Sequence, residues 1–282
     1  MRVALATCKQ LPEPDFDEAP LLAALRNAGL ETKMLAWDDE EARFAEQDLV
    51  VVRSTWNYYK DVDAFVAWAA GTAKKTRLLN PGHVIAWNAK KTYLAELEKR
   101  GIAIVPTDFV MGGTARRVED ILRERGWDEI VIKPLVSAGS FRTERFSRDS
   151  LAAAQTFLDA LVADRDAMVQ RWMPSVETYG ERSLVWIDGE ITHAIRKTPR
   201  FAGGSEQASE AEVPIADDER AFAERALGPL AGELLYARID MVRDGEGTMR
   251  LMELELIEPS LFFRQSERAL ARFVAAVARL GR

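Results

Sequence analysis

The sequence predicts an α/β domain over residues 1–85, followed by a larger α+β domain over residues 86–282. In the first part, apolar runs typical of strands alternate with runs at helical spacing, which is the usual start of a parallel sheet covered by helices. From about Ala86 that order is lost. Two long β-rich runs follow, hinged on Asp188-Gly189 and on residues 244–247, and Asp-Gly between such runs is a strong hairpin signal.

The elements of the first part follow from periodicity and from the residues that end each run. Leucines and alanines at helical spacing before Gly29 indicate a helix, and short apolar β-rich runs indicate strands. The expected strands are RVALAT (2–7), ETKMLAW (31–37), DLVVVRST (48–55) and TRLLNP (76–81), and the expected helices are EAPLLAALRNAGL (18–30) and VDAFVAWAAGTA (62–73).

The second part is predicted by the same criteria. Its expected helices are NAKKTYLAELEKRG (88–101), RRVEDILRERG (116–126), residues 150–163 and ERALARFVAAVARL (267–280). Its expected strands are IAIVPTDFV (102–110), DEIVIKPL (128–135), AMVQRWM (167–173) and the hairpins RSLVWIDGEITHAIRK (182–197) and YARIDMVRDGEGTMRLMELELI (236–257). The Gly-, Ser- and Glu-rich segment 201–212 is expected to be a mobile loop.

Composition excludes several classes of protein. The chain has 282 residues, 48% of them hydrophobic, and a net charge of -7, which argues against a general affinity for nucleic acid or for anionic membranes. No apolar stretch approaches the roughly 20 residues that span a bilayer. The single Cys8 excludes an internal disulfide framework, and the first apolar run is too short for a signal peptide, so a cytoplasmic protein is expected.

Two carboxylates lie inside the last predicted strand. Glu253 and Glu255 face the same side because side chains alternate along a strand. If the turn places Arg243 opposite Thr248, Arg238 falls opposite Glu253, and Asp240 lies diagonally beside it. Three carboxylates with oxygen-only ligands suit Mg²⁺, which takes one or two carboxylates and completes its octahedron with water and phosphate. The alternative is a charged, solvent-facing side of a surface hairpin.

Two lysines would supply the opposite charge. Lys133 lies at the end of an apolar strand, where it needs an anionic partner, and the small-residue loop 136–141 that follows has backbone N–H groups suited to phosphate oxygens. Ser137, Gly139 and Ser140 belong to this loop, which offers little apolar surface to bury and is expected to become ordered with nucleotide. Lys197 ends a hairpin strand and would be a second phosphate ligand, or simply a solvated lysine.

The order of these residues resembles the ATP-grasp superfamily. Lys91, Lys133 and its loop, VQRWM, Glu177, Lys197, Asp240, Glu253 and Glu255 follow one another as in that family, and LMELELIEP (251–259) is similar to the metal strand of its glutathione synthetase branch. Four segments most closely resemble the subgroup that contains O-ureido-serine cyclo-ligases of cycloserine biosynthesis: VVVRSTWNYY (50–59), WNAKKTYLAEL (87–97), LVWIDGEITHAIRKTP (184–199) and ELELIEP (253–259). The chain departs from the pattern at Glu255, where Asn is usual, and in having only Gly139 in the loop.

The resemblance implies a pre-ATP-grasp domain before an ATP-grasp fold of two subdomains, with ATP between them and a mobile lid over roughly residues 110–170. It implies ATP and two Mg²⁺ ions as cofactors. It also implies transfer of the γ-phosphate to the carboxylate of a small, amino-acid-like substrate, followed by attack of an amine or a similar nucleophile on the acyl phosphate. In that chemistry Lys133 and Lys197 neutralise phosphate charge, and Arg238 holds the substrate carboxylate or the oxyanion. Arg238 as a plain cross-strand partner of Glu253 is the alternative.

The remaining assignments concern the two ends of the ligand. Adenine would lie against Gln170, Arg171, Trp172 and Met173, with Glu177 on the ribose hydroxyls, although Trp172 as ordinary core fits the pattern equally. The small-molecule carboxylate substrate would meet residues beyond the carboxyl end of the strand DLVVV, where open α/β sheets bind ligands. These residues are Arg53, Ser54, Trp56, Asn57 and Tyr58, and packing is the alternative role for the aromatic ones.

Two other functional classes stay open on the sequence alone. The same scaffold can act as a small-molecule kinase that stops after phosphoryl transfer, or as a nucleotide-binding module without chemistry. The complete set of lysines and carboxylates argues against the second class. Sequence reasoning leaves open the identity of the acid and the nucleophile, ring closure against joining of two molecules, and whether the chain forms a homodimer.

Overall fold

The computed structural model of the chain describes residues 1–198 and 207–280. The described helices are α1 (Glu18–Asn27), α2 (Val62–Ala73), α3 (Gly82–Asn88), α4 (Tyr93–Lys99), α5 (Val118–Arg125), α6 (Leu151–Val162), α7 (Ser175–Thr178), α8 (Asp217–Leu227) and α9 (Glu267–Leu280). The described strands are β1 (Arg2–Thr7), β2 (Glu31–Ala36), β3 (Leu49–Ser54), β4 (Arg77–Leu79), β5 (Thr107–Val110), β6 (Glu129–Pro134), β7 (Glu144–Ser147), β8 (Ala167–Arg171), β9 (Glu181–Ile187), β10 (Glu190–Thr198), β11 (Gln207–Ala208), β12 (Tyr236–Arg243) and β13 (Met249–Glu255).

The first four strands form a parallel sheet in the order β2-β1-β3-β4, as the sequence predicts. Residues of β1 and β3 that point to one face pack against α1 and α9, and those that point to the other face pack against α2. Because helices cover both faces of the sheet at β3, all six residues of this strand are buried from solvent. The N-terminal sheet is therefore covered by helices on both faces, and one of these helices, α9, comes from the C-terminal end of the chain.

The second sheet is antiparallel, in the order β5-β8-β6-β7, and α5 and α6 cover one of its faces. It covers the part of the chain from Thr107 to Arg171, which is where the lid was expected. The mobility of this subdomain stays a prediction.

The third sheet is antiparallel and has the order β11-β10-β9-β12-β13. It shares a core with the first sheet, in which Val185, Ile187 and Tyr236 pack with Val3 and Leu5. The Tyr236 hydroxyl also bridges the backbone carbonyls of Val52, at 2.5 Å, and Ile257, at 2.7 Å. The boundary expected between residues 85 and 86 falls inside α3, so the chain passes from the first layer into the second part without a break in structure.

The helix predicted over residues 88–101 is wrong in its first turn. Helix α3 ends at Asn88 and α4 begins at Tyr93. Between them, the Lys91 N–H donates to the Leu135 carbonyl at 3.0 Å, so it does not bond to the preceding helical turn. This tertiary hydrogen bond stops the helix and brings Lys91 beside the end of β6.

The predicted register of the last hairpin is also wrong. Arg238 pairs with Glu255 and Asp240 pairs with Glu253, whereas Arg238 was expected opposite Glu253. Arg243 pairs with Met249 instead of Thr248, and a further shift occurs between Asp240 and Met241, where Met252 is an extra residue on β13. A bulge of this kind increases the local twist and re-aims side chains. The two shifts together keep the charged residues on one face.

The loop 136–141 buries more apolar surface than expected. Val136 and Ala138 pack on the core of the first sheet, and Phe141 stacks on Tyr59 with a centroid distance of 4.5 Å. Of the segment expected to be mobile, residues 201–206 lie outside the described residues, whereas residues 207 and 208 form β11. No helix in the described part of the chain is long and apolar enough to cross a membrane.

Candidate active site

One cleft of about 210 Å³ lies where the three sheets approach one another. Its lining takes residues from the first layer, from the second sheet and from the third sheet. Most of the residues predicted for the site line it: Trp56, Tyr58, Lys91, Lys133, Ser137, Gly139, Ser140, Gln170, Arg171, Trp172, Met173, Lys197, Arg238, Asp240, Glu253 and Glu255. Four predicted residues do not: Arg53, Ser54, Asn57 and Glu177.

Two lysines converge on Glu253. The Lys133 ammonium lies 2.6 Å from Glu253 Oε1, and the Lys91 ammonium lies 3.6 Å from Glu253 Oε2. Lys91 also donates to the Ser137 carbonyl at 3.1 Å and to its hydroxyl at 3.2 Å, so it ties the small-residue loop to the site. Burial raises the pKa of Glu253, but the two lysines outweigh it and hold this pKa at about 2. Glu253 is therefore an ionised carboxylate.

A second group of charges surrounds Asp240, which is 2% exposed. Arg238 donates to both of its carboxylate oxygens, Lys197 Nζ lies 3.1 Å away, and the Ser183 hydroxyl donates at 2.6 Å. Burial raises the Asp240 pKa, but Arg238 and Lys197 together bring it well below the usual range. Asp240 is consequently fixed and fully engaged by protein groups.

Glu255 differs from Glu253 although both lie on the same face of β13. Its carboxylate accepts from Arg238, a guanidinium that it shares with Asp240. Burial raises the Glu255 pKa to about 7, because Asp240 and Glu253 also repel its charge and the attraction of the shared Arg238 does not outweigh these effects. The environment therefore gives two chemically identical side chains different pKa values.

The expected metal triad is not assembled as three converging ligands. In residues 1–198 and 207–280, no three His, Cys, Asp or Glu side chains come together closely enough to hold a metal ion. Glu253 and Glu255 keep 22% and 28% of their side-chain surface exposed, and both line the cleft. Their oxygen-only donor set fits Mg²⁺, which needs one or two carboxylates, whereas Asp240 is shielded by its own partners.

The side of the cleft where adenine is expected is built by β8 and the turn that follows it. Gln170 donates to the Thr107 hydroxyl at 3.0 Å, which fixes its side chain on the neighbouring strand. Trp172 and Met173 pack in a small apolar cluster with Val105 and Val176, and Arg145 lies 4.1 Å above the Trp172 ring. Trp172 therefore packs in the core and also lines the cleft, so a core position does not exclude contact with a ligand.

The acidic residue near this side of the cleft is Glu181, not Glu177. Glu177 is largely exposed and pairs with Arg145 at 2.9 Å outside the cleft. Glu181 lines the cleft, and one of its oxygens lies 2.6 Å from Lys197 Nζ. Sequence reasoning missed Glu181, although counting back from the Asp188-Gly189 turn places it close to Lys197 on the paired strand.

Three residues predicted to bind substrate have structural partners instead. Arg53 is 2% exposed, and its guanidinium donates to the Pro259 carbonyl at 3.1 Å, lies 3.7 Å from Asp17 and lies over the Tyr236 ring. Ser54 donates to the Thr7 hydroxyl, and Asn57 donates to Asp38. The predicted position of Arg53 does not match the structure, because β3 is enclosed on both faces up to its last residue.

Arg53→Ala is expected to destabilise the fold. Removing this guanidinium leaves Asp17 buried without its cation, and breaking a buried pair in this way typically costs about 3 kcal/mol or more. The free energy of unfolding from chemical denaturation measures the loss. The matched control is Arg2→Ala, which removes an exposed pair with Asp48 and should cost less than about 1 kcal/mol. Equal stability of the two variants would show that Arg53 is not a structural residue.

Several cleft residues carried no recognised signal in the sequence. Asn88 and Tyr93 hydrogen-bond the backbone of Leu254, and Asn88 also accepts from the Leu256 N–H, so together they fix the edge of β13. Glu258 lines the cleft three residues beyond Glu255, and burial raises its pKa to about 8. Glu13, from the loop after β1, lines the cleft as well.

Comparison with known proteins identifies relatives of the whole chain. A family profile described as the N-terminal domain of the D-cycloserine synthetase DcsG matches residues 3–80. The cycloserine biosynthesis protein DcsG of Streptomyces lavendulae is 30% identical over 283 residues, which cover 94% of this chain and 93% of DcsG. The crystal structure of D-cycloserine synthetase DcsG superposes with a TM-score of 0.89 and 30% identity, and 100% of each chain is covered.

Two more distant structures share the fold. The ATP-grasp ligase PsnB, complexed with a minimal precursor, Mg and ADP, has a TM-score of 0.66 at 16% identity and covers 99% of this chain and 98% of its own. The D-alanine–D-alanine ligase of Bacillus anthracis, complexed with ATP, has a TM-score of 0.69 at 14% identity, with 100% and 97% covered. The resemblance drawn from the sequence is confirmed by these findings: the chain belongs to the DcsG family of ATP-grasp ligases.

Proposed function

We propose that this ligase binds ATP and Mg²⁺ in the cleft and activates the carboxylate of a small, amino-acid-like substrate as an acyl phosphate. A nitrogen nucleophile then forms a C–N bond, either within the same molecule or from a second one. The observation that carries the proposal is the convergence of Lys133 from the second sheet with Lys197 and Arg238 from the third, all facing carboxylates in one cleft. Two ATP-grasp ligases of similar fold, whose structures hold ATP or Mg and ADP, support the proposal.

The ion pairs of the site explain how it would accept a nucleotide. Lys133 and Lys91 are neutralised by Glu253 in this structure. Phosphate oxygens would replace Glu253 as the partner of both lysines, and Glu253 would become available, with Glu255, to hold magnesium. Two Mg²⁺ ions are proposed, which when bound would neutralise phosphate charge at the bond that breaks. The exchange keeps every buried charge paired.

The chemistry follows from where the remaining charges lie. A substrate carboxylate oxygen would attack the γ-phosphorus, and ADP would leave with the electrons of the broken P–O bond. The nitrogen nucleophile would then attack the acyl carbon, lose its proton and expel phosphate. Arg238, held by Asp240 and Glu255, would stabilise the oxyanion of that tetrahedral intermediate. Trp56 and Tyr58 would wall the substrate end of the cleft.

An ADP-release screen tests this function. Amino acids and ureido-amino acids are supplied alone and in pairs, with phosphate and ADP both measured. A ligase releases ADP and free phosphate in equal amounts only when acid and nucleophile are both present, in one molecule or in two. Phosphate retained on a hydroxyl product would instead identify a small-molecule kinase, and ADP release from no combination would contradict the proposal.

Lys133→Ala is expected to weaken ATP binding by about tenfold or more, because a charge-assisted hydrogen bond to phosphate contributes roughly 1.5 to 3 kcal/mol. Calorimetric titration with a non-hydrolysable ATP analogue measures this. Lys90→Ala removes an exposed lysine that precedes Lys91 in the chain, and it serves as the control. Equal affinity in the two variants would remove Lys133 from the nucleotide site.

A further inference from the structure

The small-residue loop after β6 has a backbone conformation that its own sequence does not favour. Ser140 and Arg142 have φ values of +58° and +49°, in the left-handed region that residues other than glycine rarely adopt. Two turn hydrogen bonds form inside the loop: the Phe141 N–H donates to the Ala138 carbonyl, and the Thr143 N–H donates to the Ser140 carbonyl, both at 3.2 Å. Residues other than glycine keep such a conformation where the surrounding structure holds them in it. The contacts of the loop with the rest of the chain therefore bear on its shape.

Phe141 lies between the two left-handed residues and is contacted from two sides. Its ring stacks on Tyr59, with a centroid distance of 4.5 Å and an interplanar angle of 29°. The Arg165 guanidinium lies 5.6 Å from the centroid of the same ring. Tyr59 belongs to the short turn 58–60 after β3, and Arg165 lies just before β8 of the second sheet. Phe141 therefore fixes the loop to both the first layer and the second sheet.

The stack acts on the loop from outside the cleft. Ser137 and Ser140 line the cleft, whereas Phe141 and Tyr59 do not. Lys91 holds the start of the loop, because its ammonium donates to the Ser137 carbonyl and hydroxyl. Tyr59 holds the end of the loop through Phe141. The loop is thus fixed at both ends while its middle faces the space that a ligand would occupy.

A loop that already has its binding conformation binds more tightly. The apparent dissociation constant is the intrinsic one divided by the fraction of molecules in the competent conformation. The backbone N–H groups of this loop are suited to phosphate oxygens. We propose that Tyr59 is a positioning residue for the nucleotide, which stacks on Phe141 and thereby keeps the loop in the conformation that receives the triphosphate. The adjacent Tyr58 lines the cleft, so the turn 58–60 borders the ligand space with one residue and holds the loop with the next.

This inference rests on the proposed function, and two probes that differ in phosphate test it without turnover. Adenosine and a non-hydrolysable ATP analogue share the base and the ribose, but only the analogue carries the phosphates that would meet the loop. Both are titrated, with Mg²⁺, into wild-type protein, Tyr59→Ala and Tyr59→Phe. Tyr59→Ala should bind the analogue about three- to tenfold more weakly, which is the contribution of an aromatic pair, and should bind adenosine as the wild type does. Tyr59→Phe keeps the ring and should restore the affinity for the analogue.

An aromatic pair within the second sheet and its helices supplies the matched control. Phe146 and Phe157 pack with a centroid distance of 5.5 Å and involve no residue of the first layer. Phe157→Ala should lower the stability of the fold but keep the affinity for the analogue. Hydrogen exchange of the amides of residues 137–143, measured without nucleotide, reports on the loop directly. It should be about three- to tenfold faster in Tyr59→Ala than in the wild type or in Phe157→Ala.

The outcomes separate this inference from the proposed function. Wild-type affinity for the analogue in Tyr59→Ala, or unchanged exchange in the loop, overturns the positioning role alone. An equal loss of affinity for adenosine and for the analogue would make Tyr59 a residue of the fold, which also overturns it. Wild-type protein that binds neither probe contradicts the proposed function, and the positioning role with it. If Tyr59→Ala does not fold, Tyr59→Leu takes its place, because leucine keeps apolar bulk without the flat ring.

Discussion

Glu253→Gln is expected to lower kcat by about a thousandfold or more while leaving the fold intact. Glu253 is the carboxylate that faces Lys133 and Lys91 and remains open to the cleft. The amide keeps the shape of the side chain but removes the charge that would hold magnesium. Metal stabilisation of phosphoryl transfer is worth several kcal/mol, and each 1.36 kcal/mol is about tenfold in rate. Steady-state ADP release at saturating ATP measures the loss.

The control for this variant lies on the same hairpin. Glu246→Gln changes an exposed carboxylate in the turn between β12 and β13 and should leave kcat unchanged. Thermal unfolding of both variants shows whether the fold survives. Wild-type turnover in Glu253→Gln would remove this residue from the metal site, and loss of cooperative unfolding would make its role structural.

The elements that the sequence predicts well are those fixed by local chemistry. The parallel layer follows from apolar runs separated by helical periodicity, and the hairpin at Asp188-Gly189 follows from a turn in which both residues have positive φ. The register of β12 with β13 could not be predicted in the same way. The edge of β13 beyond its bulge at Met252 is bonded from outside the hairpin, by Asn88 and Tyr93 at Leu254.

The residues of the site also divide into those that local chemistry predicts and those that depend on tertiary contacts. Lys133, Asp240 and Glu253 could be predicted because a charge inside an apolar strand needs a partner, and the structure provides each with one. Arg53 satisfies the same rule, but its partners are Asp17 and a backbone carbonyl beneath the cleft. The sequence shows that a charge is buried and not which neighbour neutralises it. Only the tertiary arrangement separates a structural ion pair from a ligand site.

The charges of the cleft form two groups that meet at β13. One group joins Lys91 and Lys133 to Glu253, and the other joins Arg238 and Lys197 to Asp240. The first group includes Lys133 of the second sheet, so its ion pair with Glu253 joins that sheet to the third. Arg238, Asp240 and Lys197 of the second group all lie on the third sheet, the first two on β12 and Lys197 on β10. Arg238 is held in place by Asp240 and Glu255, which is what its proposed role at an oxyanion requires.

Arg238→Ala is expected to lower kcat by about a hundred- to a thousandfold, because removing one preorganised donor to an oxyanion typically has that effect. The affinity for ATP should change little, since Lys133 and Lys91 remain. Arg238→Lys keeps a positive charge beside Asp240 but lacks the planar fork that reaches both Asp240 and Glu255, so it should restore stability more than turnover. ADP release, titration of an ATP analogue and thermal unfolding separate these effects.

Arg250→Ala is the matched control, because it breaks a pair with Asp244 on the same hairpin outside the cleft, and it should retain kcat. A parallel loss of ATP affinity and kcat in Arg238→Ala would place Arg238 in the nucleotide site, and wild-type turnover in Arg238→Lys would reduce its role to charge alone.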